Sequence, residues 1–192
     1  MIHVNAPSLS ETGHSELEKK INDEIQMVID REVKEASLRA KDYYQAYIDT
    51  GGKAEEFIPV SLNIDYEVKY KQNSIVSFLI EKTETLASSY QEYLYYNIDL
   101  VKGKVLSLED LVGKDYQKKI ADEIKQQIAC MPKNQRFYYF NDVEIEDFMN
   151  SQRIFYINEN GQLDIKFQKY EIAAGSVEFI MLISFLINHI EK

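Results

Sequence analysis

Cysteine occurs once in the 192 residues, at Cys130, which excludes an intrachain disulfide framework and a zinc ribbon. Tryptophan is absent, proline occurs three times and glycine seven, and no glycine-rich loop that could cradle phosphate is formed. The three histidines, His3, His14 and His189, are scattered and show no metal-ligand spacing. The longest apolar run, residues 179–187, is broken by Ser184, far short of the roughly 20 residues that span a bilayer. No charged-then-apolar leader opens the sequence. Positive charge is the scarce sign: 22 Lys and Arg stand against 32 Asp and Glu, a net of −10. That balance argues against nucleic acid or an anionic membrane as a partner and fits a basic protein. It also confers solubility, with or without such a partner.

What remains is 45% hydrophobic and 28% charged, the composition of a soluble globular chain with a real core. No linker, repeat or low-complexity segment divides it, so residues 1–192 read as a single domain. Ile2 and Val4 alternate with polar neighbours, as in a brief strand. Ser15 followed by Glu18 fits a capping box. Leu17, Ile21, Ile25, Val28, Ile29 and Val33 then recur at three- and four-residue steps, and Ala36, Ala40 and Tyr43 or Tyr44 extend the stripe. This predicts a long amphipathic helix ending before Gly51.

From Pro59 the period becomes two. Val60, Leu62, Ile64, Tyr66, Val68 and Tyr70 alternate with polar residues, which predicts a half-buried strand. A turn at Gln72 and Asn73, a strand over 75–82, another over 90–101 and a turn at Lys102-Gly103 complete a meander. A short connection over 105–112 follows. A second helix is expected from the cap at Asp115, through Tyr116, Ile120, Ile124 and Ile128, to the stop at Pro132. A short helix over 143–149, strands over 153–157 and 163–168 joined through Asn160-Gly161, and a last buried strand over 177–186 follow. The fold class is α+β: an antiparallel sheet packed against the long N-terminal helix and the second helix.

No catalytic constellation stands out. Asp142, Glu144, Glu146 and Asp147 read as a solvated acidic face, and Glu109-Asp110 as a turn cap. Cys130 has no histidine near it in sequence and lies at a helix C-terminus, which does not lower a thiol pKa, so it reads as a buried or inert thiol. Ser88-Ser89 lacks a nucleophile-elbow context. The 14 tyrosines sit among acids and amides rather than basic residues. They suit packing against the core, or a protein-binding surface. The expectation is no catalysis, no metal and no cofactor.

Two blocks of sequence are more specific. The first is Tyr96-Asn97-Ile98-Asp99-Leu100, Lys102-Gly103-Lys104 and Leu106-Ser107-Leu108-Glu109-Asp110-Leu111. The second is Phe155-Tyr156-Ile157, Gly161, Leu163, Ile165, Phe167 and Tyr170-Glu171-Ile172-Ala173-Ala174-Gly175. With Ile21-Asn22 in the first helix, they make the chain resemble the extracytoplasmic domain of RsiV-type anti-sigma factors, which PdaC-type peptidoglycan deacetylases share. It departs from that pattern where a Gly-Ala-His usually precedes the third strand, here Leu86-Ala87-Ser88-Ser89-Tyr90, and at Ala174, where proline is usual.

The resemblance implies a sensor at the cell surface. It would bind lysozyme or a similar basic protein, become open to proteolysis and release a sigma factor. A membrane anchor is expected upstream, outside these residues. A rival reading is a glycan-binding accessory domain of a cell-wall enzyme, and a third is a protein-binding domain outside signalling. The expected contact surface is two irregular segments, one with Ser88, Ser89, Tyr90 and Glu92, the other with Tyr170, Glu171, Ala174, Gly175 and Ser176. Tyr90 and Tyr170 would be anchors, and Glu92 and Glu171 would pair with a partner's Arg or Lys.

Overall fold

The computed structural model describes residues 1–86, 89–136, 139, 154–166 and 180–186, the backbone alone at 154 and 180–186. A five-stranded sheet has the order β1 (Ile2–Val4), β2 (Ser61–Gln72), β3 (Ile75–Thr85), β4 (Ser89–Asp99), β5 (Lys104–Val105). A three-stranded sheet has the order β6 (Ile154–Ile157), β7 (Gln162–Lys166), β8 (Ile180–Leu186). The helices are α1 (Ser15–Asp49), α2 (Leu108–Val112), α3 (Tyr116–Cys130) and α4 (Lys133–Arg136). The class is α+β. The large sheet is mixed rather than wholly antiparallel, because β1 pairs parallel to β2, Ile2 opposite Leu62.

The chain divides into two compact units, Met1–Glu67 with Leu79–Leu94, and Val68–Phe78 with Tyr95–Lys192. In the first, α1 buries Leu17, Ile21, Ile25, Ile29 and Ala36, the strands bury Leu62, Ile64, Leu79 and Ile80, and Val60 just before β2 is buried with them. The buried stripe of α1 ends at Ala36, earlier than its periodicity suggests. Tyr43 and Tyr44 are exposed and, with Tyr47, ring Phe57 at centroid distances of 4.9–5.6 Å. Tyr66 and Val68 are exposed too. Alternation reports the pleat of a strand, not how far its covering element reaches.

The start of α1 also differs from expectation. Ser15 is already helical and His14 is the N-cap, with no side-chain capping bond to the helix. The Glu18 carboxylate instead accepts from the Thr12 N–H at 2.6 Å and the Thr12 hydroxyl at 2.8 Å. Asn22 clips the preceding segment to the helix, accepting from the Leu9 N–H and donating to the Leu9 carbonyl, each at 2.8 Å.

In the second unit, α3 lies against β8. Ile120, Ala121 and Ile124 of α3 form a core with Leu108, Tyr139, Leu163 and Ile165. Helix α2 carries the capping box that Ser15 does not: the Ser107 hydroxyl accepts from the Asp110 N–H, and the Asp110 carboxylate from the Ser107 N–H. Cys130, at the end of α3, is exposed rather than buried. The turn joining β6 to β7 covers residues 158–161, and Gly161 alone of its Asn-Gly pair adopts positive φ, 72°. The short helix expected over 143–149 and the burial of the last strand lie outside the described residues.

The β2–β3 turn is formed by Asn73 and Ser74, one residue later than expected, at φ of 51° and 59°. Both are left-handed, as the tight hairpin requires, and serine pays a steric cost there that glycine does not. Ser74→Gly is expected to stabilise the protein by about 1 kcal/mol in urea unfolding. Ile124→Ala, at a site with no exposed surface, is expected to cost about 2–5 kcal/mol by the same measurement.

Candidate functional site

The first half of β4 is a solvent-facing strand in which Ser89 through Glu92 are all exposed. Tyr90 and Glu92 fall on one face by the two-residue period, and the Tyr90 hydroxyl donates to the Glu92 carboxylate at 3.1 Å. Ser89 is tied by its hydroxyl to Thr85, 3.1 Å away. On the opposite face, Gln91 donates to Glu81 at 2.9 Å. Three of the expected contact residues, Ser89, Tyr90 and Glu92, are therefore neighbours on one strand. Ser88, Tyr170, Glu171, Ala174, Gly175 and Ser176 lie outside the described residues.

Beneath Tyr90 and Glu92 sits a cation that sequence reasoning missed. The Lys82 ammonium of β3 is paired with Glu92, donates to Glu32 of α1 at 2.7 Å and lies 5.8 Å from the centre of the Tyr90 ring. The side chain of Lys82 is 12% exposed and that of Glu92 47%. Burial opposes the ionised form of Glu32, but hydrogen bonds from Lys82 and Arg31 outweigh it and hold the carboxyl below its ordinary range. Burial likewise opposes the charged form of Lys82, and its bonds to Glu32 and Glu92 leave its pKa raised. The charge of Glu92, then its hydrogen bond, raises the pKa of the Tyr90 phenol.

A second bridge joins the same helix and strand. Arg39 donates to both carboxylate oxygens of buried Glu84, at 2.9 and 2.7 Å, and also to Glu35 at 3.3 Å. The fork matches the planar carboxylate, a geometry that lysine cannot reproduce. A charge on the buried stripe of α1, Glu32 between Ile29 and Ala36, was the signal in the sequence for such partners.

Ser77, Asn97 and the Ile157 N–H form a buried polar cluster in the second unit. The Ser77 hydroxyl donates to the Asn97 side-chain oxygen at 2.7 Å, and the Asn97 amide to the Phe155 carbonyl at 2.9 Å. The Ile157 N–H is shared between Ser77 and Asn97, at 3.0 and 3.2 Å. Burial raises the pKa of Asp164 against the opposing bonds from Tyr156 and Asn158. Tyr96 stacks on Phe78, and Tyr95 on Tyr156, so these tyrosines pack. Among the described residues, no group of three or more His, Cys, Asp or Glu could hold a metal ion, and no helix is long and apolar enough to cross a membrane. An open hollow of about 250 Å³ between α1, β1 and β2 is lined by Met1, Ile2, Ala36, Ser37, Ala40, Val60 and Leu62 and carries no charged side chain.

The Glu32 shift has a consequence for stability. A carboxyl depressed in the folded state stabilises it above the unfolded value of 4.5, and that contribution is lost as pH falls through the folded value. Urea unfolding of the wild type is expected to show a loss of stability below pH 4.5 that is diminished in Glu32→Gln. Equal acid profiles would remove Glu32 from the ionised network.

Two family models match the chain: Deacetylase PdaC over residues 1–86, and the protein of unknown function family DUF3298 over residues 109–182. The anti-sigma-V factor RsiV of Bacillus subtilis (strain 168) is 30% identical over 179 residues, 91% of this chain and 59% of RsiV. A solved DUF3298 family member from Bacteroides fragilis covers 84% of this chain and 64% of its own, with a TM-score of 0.55 at 15% identity, and shares the fold. Another, from Pseudomonas aeruginosa, covers 74% of this chain and 64% of its own, with a TM-score of 0.46 at 20% identity. The chain thus spans less than two thirds of each of these relatives. PdaC and DUF3298 matches in succession, with 30% identity to RsiV across 91% of this chain, make this an RsiV-like domain of the kind shared with PdaC.

Proposed function

We propose that residues 1–192 act as one non-enzymatic, extracytoplasmic ligand-sensing domain of an anti-sigma factor. It binds lysozyme or a similar basic protein, and binding opens the membrane-anchored whole to proteolysis and releases the sigma factor. The observation that carries this reading is the 30% identity to RsiV over 91% of the chain. The net charge of −10 supports it, since an acidic domain gains encounter rate with a strongly basic partner. The proposed contact residues come from two segments of the sequence, Ser88, Ser89, Tyr90 and Glu92 in one and Tyr170, Glu171, Ala174, Gly175 and Ser176 in the other. Exposed Tyr90, hydrogen-bonded to Glu92, offers a ring and a carboxylate together, the pair that suits an incoming Arg or Lys.

The PdaC match over residues 1–86 supports a second reading, a glycan-binding accessory domain of a peptidoglycan-modifying enzyme.

Calorimetric titration with lysozyme at low and moderate salt separates the two. Saturable one-to-one binding that weakens with salt is expected, with Tyr90→Ala and Glu92→Ala each weakening it about tenfold or more. Absence of lysozyme binding, with binding of peptidoglycan oligosaccharides, would replace the sensor by the glycan reading.

A further inference from the structure

The geometry points to Lys82 as an internal competitor, its ammonium standing where a basic partner's Lys or Arg must go and so setting the affinity of the Tyr90–Glu92 surface for cations. This role rests on the proposed function, because it concerns the same two side chains. In the free chain Glu92 is not a bare anion: Lys82 already pairs with it and lies 5.8 Å from the Tyr90 ring centre. An arriving cation therefore exchanges one ion pair for another, and its apparent affinity falls by the fraction of molecules in which Lys82 holds the site.

The release of Lys82 is low in cost because Glu32 retains it. Glu32 offers one oxygen to Lys82 at 2.7 Å and the other to Arg31 at 2.9 Å, so neither Lys82 nor Glu32 is stranded when Glu92 changes partner. Accessibility points the same way. Tyr90 and the side chain of Glu92 are about half exposed, 59% and 47%, whereas the Lys82 side chain lies beneath them at 12%. A partner reaches the carboxylate and the ring from outside while the lysine approaches from within. A purely structural Lys82 would bridge α1 to β3 and have no effect on an external cation except through loss of folding.

The test uses arginine amide as the probe, read by NMR of ¹³C-labelled tyrosine rings with Tyr90 assigned from Tyr90→Phe. The variant Lys82→Met is made with Glu32→Gln, so that no bare carboxylate is left buried. Circular dichroism checks that it folds, and Lys82→Gln alone is the second variant. Arginine amide is expected to move the Tyr90 signal with a Kd about three- to fivefold lower in the variants than in the wild type. Adding Glu92→Gln is expected to abolish the gain. An equal or weaker Kd in both folded variants overturns the role of Lys82. Lysozyme calorimetry on the same proteins is the separate reading. A gain for arginine amide with no lysozyme binding in any form keeps Lys82 as competitor and overturns the sensor function, whereas lysozyme binding without either gain overturns Lys82 alone.

Discussion

In the first unit, α1 lies on its strands through two buried carboxylates, each matched by a cation. Glu32 and Glu84 occupy positions that an apolar interface would fill with leucine, and both are less than 10% exposed. Leaving either without a cation would cost several kcal/mol. The unit meets the demand differently at each. Arg39 meets Glu84 with a two-point fork, and Lys82 meets Glu32 as a point charge that Glu92 shares. The difference matters, because a fork fixes geometry whereas an ammonium can change partners. The interface thus holds a fixed bridge at Arg39 and an exchangeable one at Lys82, and the exchangeable one lies under the exposed strand.

The residues that give the chain its family likeness turn out, where described, to be mostly structural. Asn22 clips Leu9 to α1. Asn97 collects Ser77, Phe155 and Ile157 into one buried knot. Asp99 accepts from the N–H groups of Val101 and Lys102 and so closes the turn after β4. Asp110 completes the capping box of α2, and Lys104 beside it holds its carboxyl at about 2. These are polar groups with several bonds each, which only one side chain can satisfy at once, so the pattern marks a shared fold more directly than a shared ligand. Tyr90 and Glu92, by contrast, lie on an exposed strand surface.

The periodicity of the chain was enough to determine much of the secondary structure. Leu17 to Ile29 at helical spacing, Val60 to Tyr70 in alternation, and Tyr116 to Ile128 ahead of Pro132 all correspond to observed elements, because local burial patterns and breakers act within one element. The same local signals misplaced what depends on a neighbour. Ser15 looked like a cap, yet the real capping box is Ser107 with Asp110, since only backbone geometry decides which hydroxyl faces a free N–H. Tyr66 kept the alternation and lost the burial.

The sequence by itself determined the α+β class, the acidic balance and the family, because these rest on composition, period and linear motif. Only the tertiary structure decided that β1 runs parallel to β2, that Glu32 and Glu84 are buried with cations from distant positions, and that Lys82 already occupies Glu92. Those facts depend on contacts between residues 45 to 50 positions apart in the case of the α1 bridges, and no local pattern encodes which charge will meet which.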